Sequence, residues 1–273
     1  METNKVIIIP VSYNRGLFSY LTCVLAVLSK YEHTGVSVYI DWSGADNYAD
    51  PIRGRNVFDY FFEQPFVKEL VGDHEIIGIE EGLNLLDDFF RYSIYSFNPS
   101  VRTLASRLLK KYIRIKPQIL KKVDDFCLRL KGENVLGVHI RSTDQYTDGH
   151  FAGQPLCLER YLELIDQAIF QNGYTKIFAA SDSEEIIDLL GDNFRNLLTY
   201  DCIRSPDHRA IHLNEEMKGY RIGEDVLVES QILSRCQYFI ASPSNVSSMV
   251  TFWNCRLPFL EAMRGHLKYL PAF

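Results

Sequence analysis

The chain has 273 residues, of which 47% are hydrophobic and 23% are charged. This composition is typical of a folded globular protein and excludes a largely disordered one. Its formal net charge of −6 argues against nucleic acid as the main partner, because phosphate backbones are bound by basic surfaces, so any phosphate site here must be local.

The six cysteines are scattered singly, with no CxxC pair and no histidine nearby at metal-ligand spacing. The sequence therefore indicates neither a zinc site nor a disulfide framework. We expect buried free thiols in a reducing compartment. No Asp-x-Asp motif occurs either, so we predict no metal and no other cofactor.

Nothing near the start of the chain predicts export. Residues 5–10 predict a strand that is too short for the core of a signal peptide, and no cleavage site follows them. No apolar run approaches the ~18 residues of a membrane span. We expect a cytoplasmic protein of a bacterium.

The first half of the chain predicts a parallel βαβ unit followed by a helical region. Residues 6–11 predict a buried strand, 12–16 a turn, 17–31 an apolar helix and 36–40 a second strand. Further along we predict a long loop at 41–55, a weak strand at 75–79 and one basic helical stretch at 101–130.

The second half alternates regularly between strands and helices. A break at 131–134 precedes it, so we predict a domain boundary between residues 130 and 131. The predicted strands are 135–140, 176–180, 197–200, 238–241 and 257–260, and the predicted helices are 156–172, 183–190, 223–235 and 245–254. Such alternation predicts a doubly wound α/β domain.

The most informative segment is 135–144, where an apolar strand ends abruptly in polar residues. In open parallel sheets, ligands bind beyond the carboxyl ends of the strands. A guanidinium at that position forks two hydrogen bonds onto a phosphate. His139, Arg141 and Asp144 therefore predict a diphosphate site, in which Asp144 orients the guanidinium or a neighbouring backbone group. The alternative is a surface Arg–Asp pair worth ~1 kcal/mol or less.

The next strand exit carries Asp182, whose carboxylate would accept hydrogen bonds from a base or a ribose. The competing interpretation is purely local. Ser181 followed by Glu184 matches a helix capping box, and we favour that interpretation for Ser181.

The Ser-rich loop that opens the helix at 245–254 is a third candidate. Hydroxyls and free N–H groups at a helix N-terminus bind anions, so Ser244, Asn245, Ser247 and Ser248 would hold a second phosphate. The alternative, compatible with the first, is that Ser244 or Asn245 simply caps the helix.

The turn formed by Asn14, Arg15 and Gly16 lies between the first strand and its helix, where a glycine lets a ligand approach the backbone. The chain contains neither GxGxxG nor GxxxxGK[ST], so neither dinucleotide nor P-loop binding is supported. Positive charge for a diphosphate would come from Arg141 and the helix ends.

Three of these segments carry a family resemblance. His139-Ile-Arg-Ser-Thr-Asp144 resembles the His-x-Arg-Arg-x-Asp motif of the fucosyltransferases with a GT-B-like fold, which include the core α1,6, nodulation, protein O- and, more distantly, α1,2 enzymes. Ala180-Ser-Asp-Ser183 is similar to their Ala-Thr-Asp-Asp strand exit, and residues 229–248 are similar to their last motif. In the first half, only the loop at 14–18 is similar.

The resemblance implies a GT-B-like α/β fold of two Rossmann-like domains with a cleft between them. Residues 1–130 would hold the acceptor, and residues 131–273 would bind the nucleotide sugar. The implied reaction is an inverting, metal-independent transfer of fucose from GDP-fucose to a glycan, such as a surface-polysaccharide precursor. A lipid-linked acceptor would bring the protein to a membrane surface.

Site roles carried over from the family are specific to positions. Arg141 would contact the β-phosphate, Asp182 and Glu229 would help to hold the nucleoside or the donor loops, and Ser247 with its neighbours would cradle phosphate. Ser142 stands where the family has a second arginine. That departure leaves open another sugar, a lower rate, or a catalytically silent nucleotide- or glycan-binding protein on the same scaffold. An unrelated α/β enzyme, such as a sulfotransferase or dehydrogenase, has no motif support.

The implied chemistry suits these residue types. Negative charge develops on the departing diphosphate, so a fixed Arg141 guanidinium stabilises the transition state more than the ground state. The acceptor hydroxyl also needs a base within reach. The candidate bases are Asp144, Glu229, Asp41 and Asp46, and some family members rely on none. His150, in the loop after Asp144, could approach the donor, but we favour the interpretation that it is a solvent-exposed loop histidine.

Overall fold

The computed structural model describes residues 6–9, 15–66, 74–78, 98–143, 157–207 and 209–262. These residues form two parallel sheets with helices packed on them, so the predicted α/β class is confirmed. For residues 6–9 we describe only the backbone.

The smaller sheet contains the predicted βαβ unit. Its strands β1 (Val6–Ile9), β2 (Ser37–Ile40) and β4 (His74–Ile76) are parallel, in the order β2-β1-β4. Helix α1 (Leu17–Tyr31) connects β1 to β2. Every residue of α1 from Leu17 to Leu28 is buried except Ser19, as expected for a helix that is apolar on all sides.

The larger sheet is formed by the alternating second half of the chain. It has five parallel strands in the order β10-β9-β6-β7-β8. These are β6 (Val135–Ile140), β7 (Lys176–Ser181), β8 (Leu197–Leu198), β9 (Tyr238–Ala241) and β10 (Phe259–Glu261). All six residues of the central strand β6 are buried, which accounts for its almost continuous apolar run.

The helices of the second half lie where they were predicted, to within a few residues. They are α5 (Leu158–Asn172), α6 (Glu184–Asn193), α7 (Tyr220–Leu233) and α8 (Asn245–Trp253). Short 3₁₀ helices at Ile211–Leu213 and Glu215–Met217 precede α7.

The prediction of one helical stretch at 101–130 was wrong. Two helices, α3 (Pro99–Tyr112) and α4 (Pro117–Cys127), are separated by strand β5 (Arg114–Ile115), which pairs antiparallel with β3 (Phe62–Glu63). Pro117 explains the break, because proline lacks an N–H and disfavours helical backbone in the preceding residue.

The loop predicted at 41–55 contains 3₁₀ helices at Asp46–Tyr48 and Pro51–Arg53, and it leads to the short helix α2 (Phe58–Phe61). Its aromatic residues belong to the core. Trp42 is fully buried, and its ring meets that of Phe58 edge-on at 5.0 Å.

One hydrophobic core continues from the first half of the chain into the second. Helix α8 packs on α1 and α3, and α7 packs on α4. The boundary between residues 130 and 131 falls just before β6 and stays a prediction.

All six cysteines are free, as expected, but the expectation that they are buried was wrong for most of them, and three are partly buried: Cys127, Cys202 and Cys255. Cys23 and Cys236 are buried, whereas Cys157 is exposed. Within the described ranges, none of the helices is long and apolar enough to cross a bilayer.

Candidate active site

A cleft of about 390 Å³ opens where β6 and β7 end, beside the first turn of α1. Its lining includes most of the predicted donor residues that the structure describes. These are Arg15, Gly16, His139, Arg141, Asp182, Glu229, Ser244 and Asn245. The two strand exits and the two helix starts therefore meet in one place, as expected for an open parallel sheet.

His139 anchors the Ser-rich loop from inside the sheet. Its Nδ1 lies 2.9 Å from Ser247 Oγ and 3.2 Å from Ser242 Oγ. Burial, together with the positive charge of Arg141, lowers the pKa of His139 to about 3. The imidazole is therefore neutral at physiological pH and joins β6 to the loop by hydrogen bonds.

Arg141 is the first residue after β6 and lines the cleft. Its backbone N–H donates to Ser242 Oγ at 2.9 Å. Ser242, which also contacts His139, thus fixes the backbone from which the Arg141 side chain extends.

Asp182 holds the segment that follows Arg141. Its carboxylate accepts the Ser142 N–H at 2.9 Å and the Thr143 hydroxyl at 2.6 Å. The side chain of Ser142 is buried, with its Oγ 3.5 Å from the same carboxylate. We call these contacts the Asp182 clamp. At the position of the family's second arginine, this chain has a buried serine.

The capping box predicted for Ser181 was wrong. Ser181 is the last residue of β7, and its hydroxyl donates to the carbonyl of Ile140 at 2.7 Å. Ser183 is the N-cap of α6, and its side chain makes no capping bond. The spacing misled because it assumed that the helix starts two residues earlier.

At the start of α8, Ser244 is the cap, since its hydroxyl accepts the N–H of Ser247 at 3.0 Å. Ser244 and Asn245 line the cleft. Ser247 and Ser248 are buried and lie outside the cleft lining. Capping and cleft lining therefore coexist at Ser244, and phosphate binding by these residues stays a prediction.

On the opposite side, α1 begins at the cleft with no side chain capping it. Its N-cap is Gly16, and a Cβ added to this glycine would have no other heavy atom within 4 Å. The backbone of Arg15 is fixed by Tyr20 and Asn47 at 2.7 and 2.9 Å. An open helix N-terminus next to an arginine suits an anionic ligand. Asn14 lies outside the described residues.

The acidic wall of the cleft was only partly predicted. Glu229 is buried, and Arg204 Nη2 donates to its Oε1 at 2.9 Å. The thiol of Cys202 donates to the same oxygen at 3.0 Å. Burial raises the pKa of Glu229 to about 7, although Arg204 opposes that rise. Burial likewise raises the pKa of Cys202 and keeps it a thiol.

Asp225 lies one helical turn before Glu229 and also lines the cleft. It accepts the N–H of Ile203 at 3.0 Å and contacts Arg221 Nε at 3.2 Å. Burial raises the pKa of this carboxyl. Cys202, Arg204 and Asp225 were not among the predicted site residues. The exit of β8, a third strand of the same sheet, was the signal that could have found the first two.

Of the candidate bases, only Glu229 lines the cleft among those that the structure describes. Asp41 accepts the N–H of Ser43 at 2.8 Å, and Asp46 is exposed on a 3₁₀ helix. Asp144 and His150 lie outside the described residues. The described part of the chain contains no cluster of three potential metal ligands.

No protein-family model and no curated protein sequence matches the chain. Among solved structures, it is similar to a NodZ alpha-1,6-fucosyltransferase co-crystallised with GDP, at 19% identity over 94% of each chain with a TM-score of 0.59. A fucosyltransferase NodZ from Bradyrhizobium matches at 19% identity over 94% of this chain and 95% of its own, with a TM-score of 0.57.

POFUT1 in complex with GDP is 12% identical over 96% of this chain and 99% of its own, with a TM-score of 0.58. At such identities the similarity defines the fold. The chain has the GT-B-like fold of these fucosyltransferases, so the fold implied by the motif resemblance is confirmed.

Proposed function

We propose that the protein is a glycosyltransferase that transfers a sugar, with fucose as the first expectation, from a GDP-linked donor to a glycan. The observation that carries this proposal is Arg141, which emerges from β6 into the cleft. Its support is the shared fold with NodZ structures co-crystallised with GDP or soaked with GDP-fucose.

The proposed donor orientation follows from charge. The diphosphate would lie against Arg141, with the open start of α1 and Arg15 across the cleft. As the glycosidic bond breaks, negative charge accumulates on the departing diphosphate, and a fixed guanidinium stabilises that charge without reorganisation. The positive ends of α1 and α8 act in the same direction.

Inverting transfer without a metal is proposed because these cationic groups replace the charge that a divalent ion would supply. Asp182 would contribute through the clamp, and Glu229 through the nucleoside side of the cleft. The base that receives the acceptor proton is proposed to be Asp144 or Glu229, by their place in the sequence and the cleft respectively.

The acceptor is proposed to be a glycan of the surface-polysaccharide type, and the protein to act in the cytoplasm of a bacterium. A lipid-linked acceptor would recruit it to a membrane surface as a peripheral protein.

The donor proposal is tested by thermal shift with GDP, GDP-fucose, GDP-mannose, UDP, CMP, NAD and adenosine phosphosulfate, with EDTA present. We expect GDP compounds alone to stabilise the wild type. Stabilisation by ligand at a hundredfold excess over Kd amounts to about 2.7 kcal/mol. Arg141→Ala should lose at least tenfold in GDP affinity, whereas Arg235→Ala, which removes a surface partner of Asp124, should not. A preference for another nucleotide would overturn the proposal.

A second candidate is the catalytically silent binding protein, favoured by the buried Ser142 in place of a second arginine. Release of GDP from GDP-fucose in the presence of glycan acceptors separates the two candidates. Turnover abolished by Arg141→Ala supports the transferase. GDP binding without turnover on any acceptor or sugar donor would favour the silent protein.

A further inference from the structure

Arg204, a residue to which the proposed function gives no role, forms a buried ion pair with the cleft-lining Glu229. Arg204 and Glu229 side chains are 9% and 10% exposed and meet at 2.9 Å. Arg204 also contacts Thr199 Oγ1 at 2.7 Å and the carbonyls of Tyr200 and Cys202 at 3.0 and 3.2 Å. One guanidinium thus ties the segment 199–205, which follows β8, to helix α7.

The other end of the same segment is hydrogen-bonded to the residues that follow β7. The N–H of Ser205 donates to the carbonyl of Asp182 at 2.8 Å, and its own carbonyl accepts the N–H of Glu184 at 3.1 Å. In the middle, the N–H of Ile203 donates to Asp225. Of this fixed segment, Cys202 and Ile203 line the cleft. Arg204 is the only described cation within hydrogen-bonding distance of Glu229.

Burying such a pair is costly unless both partners are present. Removing one partner leaves an uncompensated charge in a poorly solvated site, and the remaining group responds by changing its protonation state. Without Arg204, the Cys202 thiol would be the hydrogen-bond donor left to Glu229 among the described residues. The carboxylates of Asp225 and Asp182 both disfavour the charged form of Glu229.

We propose that Arg204 is a positioning residue of the donor site: it keeps the Glu229 carboxylate charged and fixed at the cleft wall while it folds the segment 199–205 around its own guanidinium. The groups that act on Glu229 are Arg204, Cys202, Asp225 and Asp182. Of these, only Arg204 is cationic.

The first test needs no ligand. In Arg204→Met the pKa of Glu229 should rise further above its wild-type value of about 7, since loss of a close opposite charge shifts a carboxyl by about one unit or more. At pH 5.5, Glu229 is protonated in both proteins. At pH 8, the wild type has a charged carboxylate paired with Arg204, whereas the variant must either keep Glu229 protonated or bury an unpaired charge. The variant should therefore lose more thermal stability at pH 8 than at pH 5.5, by about 3 °C or more.

Three variants make this test specific. Arg204→Lys keeps the positive charge but loses the planar guanidinium and its several donors, so it should lower Tm by the same amount at both pH values. Glu229→Gln should make the effect of Arg204→Met independent of pH. Arg235→Met is the matched surface control. An equal loss of Tm at both pH values in Arg204→Met would overturn the proposal.

If Arg204→Met does not fold, the double variant with Glu229→Gln decides. We expect the double variant to fold, because the uncompensated carboxylate is then absent. A double variant that also fails to fold would assign Arg204 a purely structural role and overturn the inference.

The second test rests on the proposed function. Glu229 is proposed to act on the nucleoside side of the cleft, so affinity for GDP-fucose should rise with pH as Glu229 ionises. The diphosphate of GDP-fucose has no free terminal phosphate that would titrate in the same range. The midpoint should lie near pH 7 in the wild type and higher in Arg204→Met, and an unmoved midpoint would overturn the inference. If the wild type does not bind GDP-fucose at any pH, the donor proposal fails and the ligand-free test still decides the role of Arg204.

Discussion

At the scale of single residues, the Asp182 clamp makes a sharp prediction. Asp182→Asn replaces one accepting oxygen by an NH₂ group, which would face a donor from Ser142 or Thr143. Losing one charge-assisted bond and leaving a donor unpaired costs about 1–3 kcal/mol. Since the segment held by the clamp begins at Arg141, we expect affinity for GDP or turnover to fall about tenfold or more.

The matched control is Asp166→Asn, which makes the same chemical change at an exposed position of α5. Isothermal titration with GDP compares the two variants with the wild type. Equal affinities in all three proteins would mean that the segment after Arg141 does not depend on the clamp.

The strand-exit rule found the site residues that follow β6 and β7, because Arg141 and Asp182 are polar residues directly after apolar runs. It could not reveal that Asp182 faces the neighbouring backbone, since that contact depends on the register between β6 and β7. Arg204 was missed because it lies six residues beyond Leu198, the last residue of β8, and not directly after the strand.

At the scale of elements, the packing of α7 against α2 leaves no room beside Gly223. A Cβ built there would overlap Phe61 Cζ and lie 3.0 Å from Tyr48 Cδ1. Phe61 is fully buried and stacks on Tyr220, so it cannot move aside cheaply. Gly223→Ala should therefore lower Tm, by the equivalent of about 1–3 kcal/mol, despite the better helix propensity of alanine.

Gly191 in α6 provides the opposite case. It is exposed and helical, and a Cβ there would meet nothing within 4 Å. Gly191→Ala should stabilise the protein by about 0.5–1 kcal/mol, because alanine is the better helix former. Thermal melts of both variants are the measurement. An increase of Tm in Gly223→Ala would contradict the close packing of α7.

The end of α1 is tied to α3 by Glu32, whose Oε1 contacts Arg107 and Lys111 at 2.5 and 3.1 Å. The hydrogen bond from Arg107, aided by Lys111, lowers the pKa of Glu32 to about 2 from an ordinary 4.5. Because the folded pKa is the lower one, this stabilisation is complete above about pH 4.5 and is lost as pH falls toward 2.

We therefore expect Glu32→Gln to lose stability at neutral pH and to approach the wild type below about pH 3. Both cations are about half exposed, so solvent screening limits the loss to about 1–2 kcal/mol. Urea titrations at several pH values measure it. Glu163→Gln, which removes an exposed pair with Arg160, is the control. A pH-independent difference would mean that shape rather than charge makes this contact.

Most elements followed from local pattern, and the exceptions have tertiary causes. Helix α1 was predictable to the residue, because a long apolar run between a turn and a glycine is typical of a buried helix. The division of 101–130 was not, although Pro117 marks it. Strand β5 exists through its pairing with Phe62 and Glu63, which are more than 50 residues away along the chain.

At the scale of the whole molecule, the cleft lies between two sheets that share one core. Buried side chains of α1 and α3 belong to the same cluster as Phe178, Phe239 and Phe252 from the second half. The alternation of strands and helices along the sequence could predict the two sheets but not this continuity, because it carries no signal for which helix packs against both sheets.

A shared core predicts that the halves unfold together. The chain has two tryptophans, and one lies in each half: Trp42 is fully buried beside β2, and Trp253 ends α8. In Trp253→Phe the fluorescence reports only the first half, and in Trp42→Phe only the second, while circular dichroism reports the whole chain. Within each variant, the fluorescence and dichroism midpoints in urea should coincide, as in a two-state transition.

Comparing the two probes inside one variant removes any difference in stability that the substitution itself causes, which matters because Trp42→Phe alters a packed aromatic contact. Separate midpoints would mean that the contacts of α8 with α1 and α3 are too weak to couple the halves. The predicted boundary at residue 130 would then divide two independent folding units, and a ligand bound in the cleft would have to hold them together. Coincident midpoints with and without GDP would mean instead that the cleft is already formed by the shared core before a donor arrives.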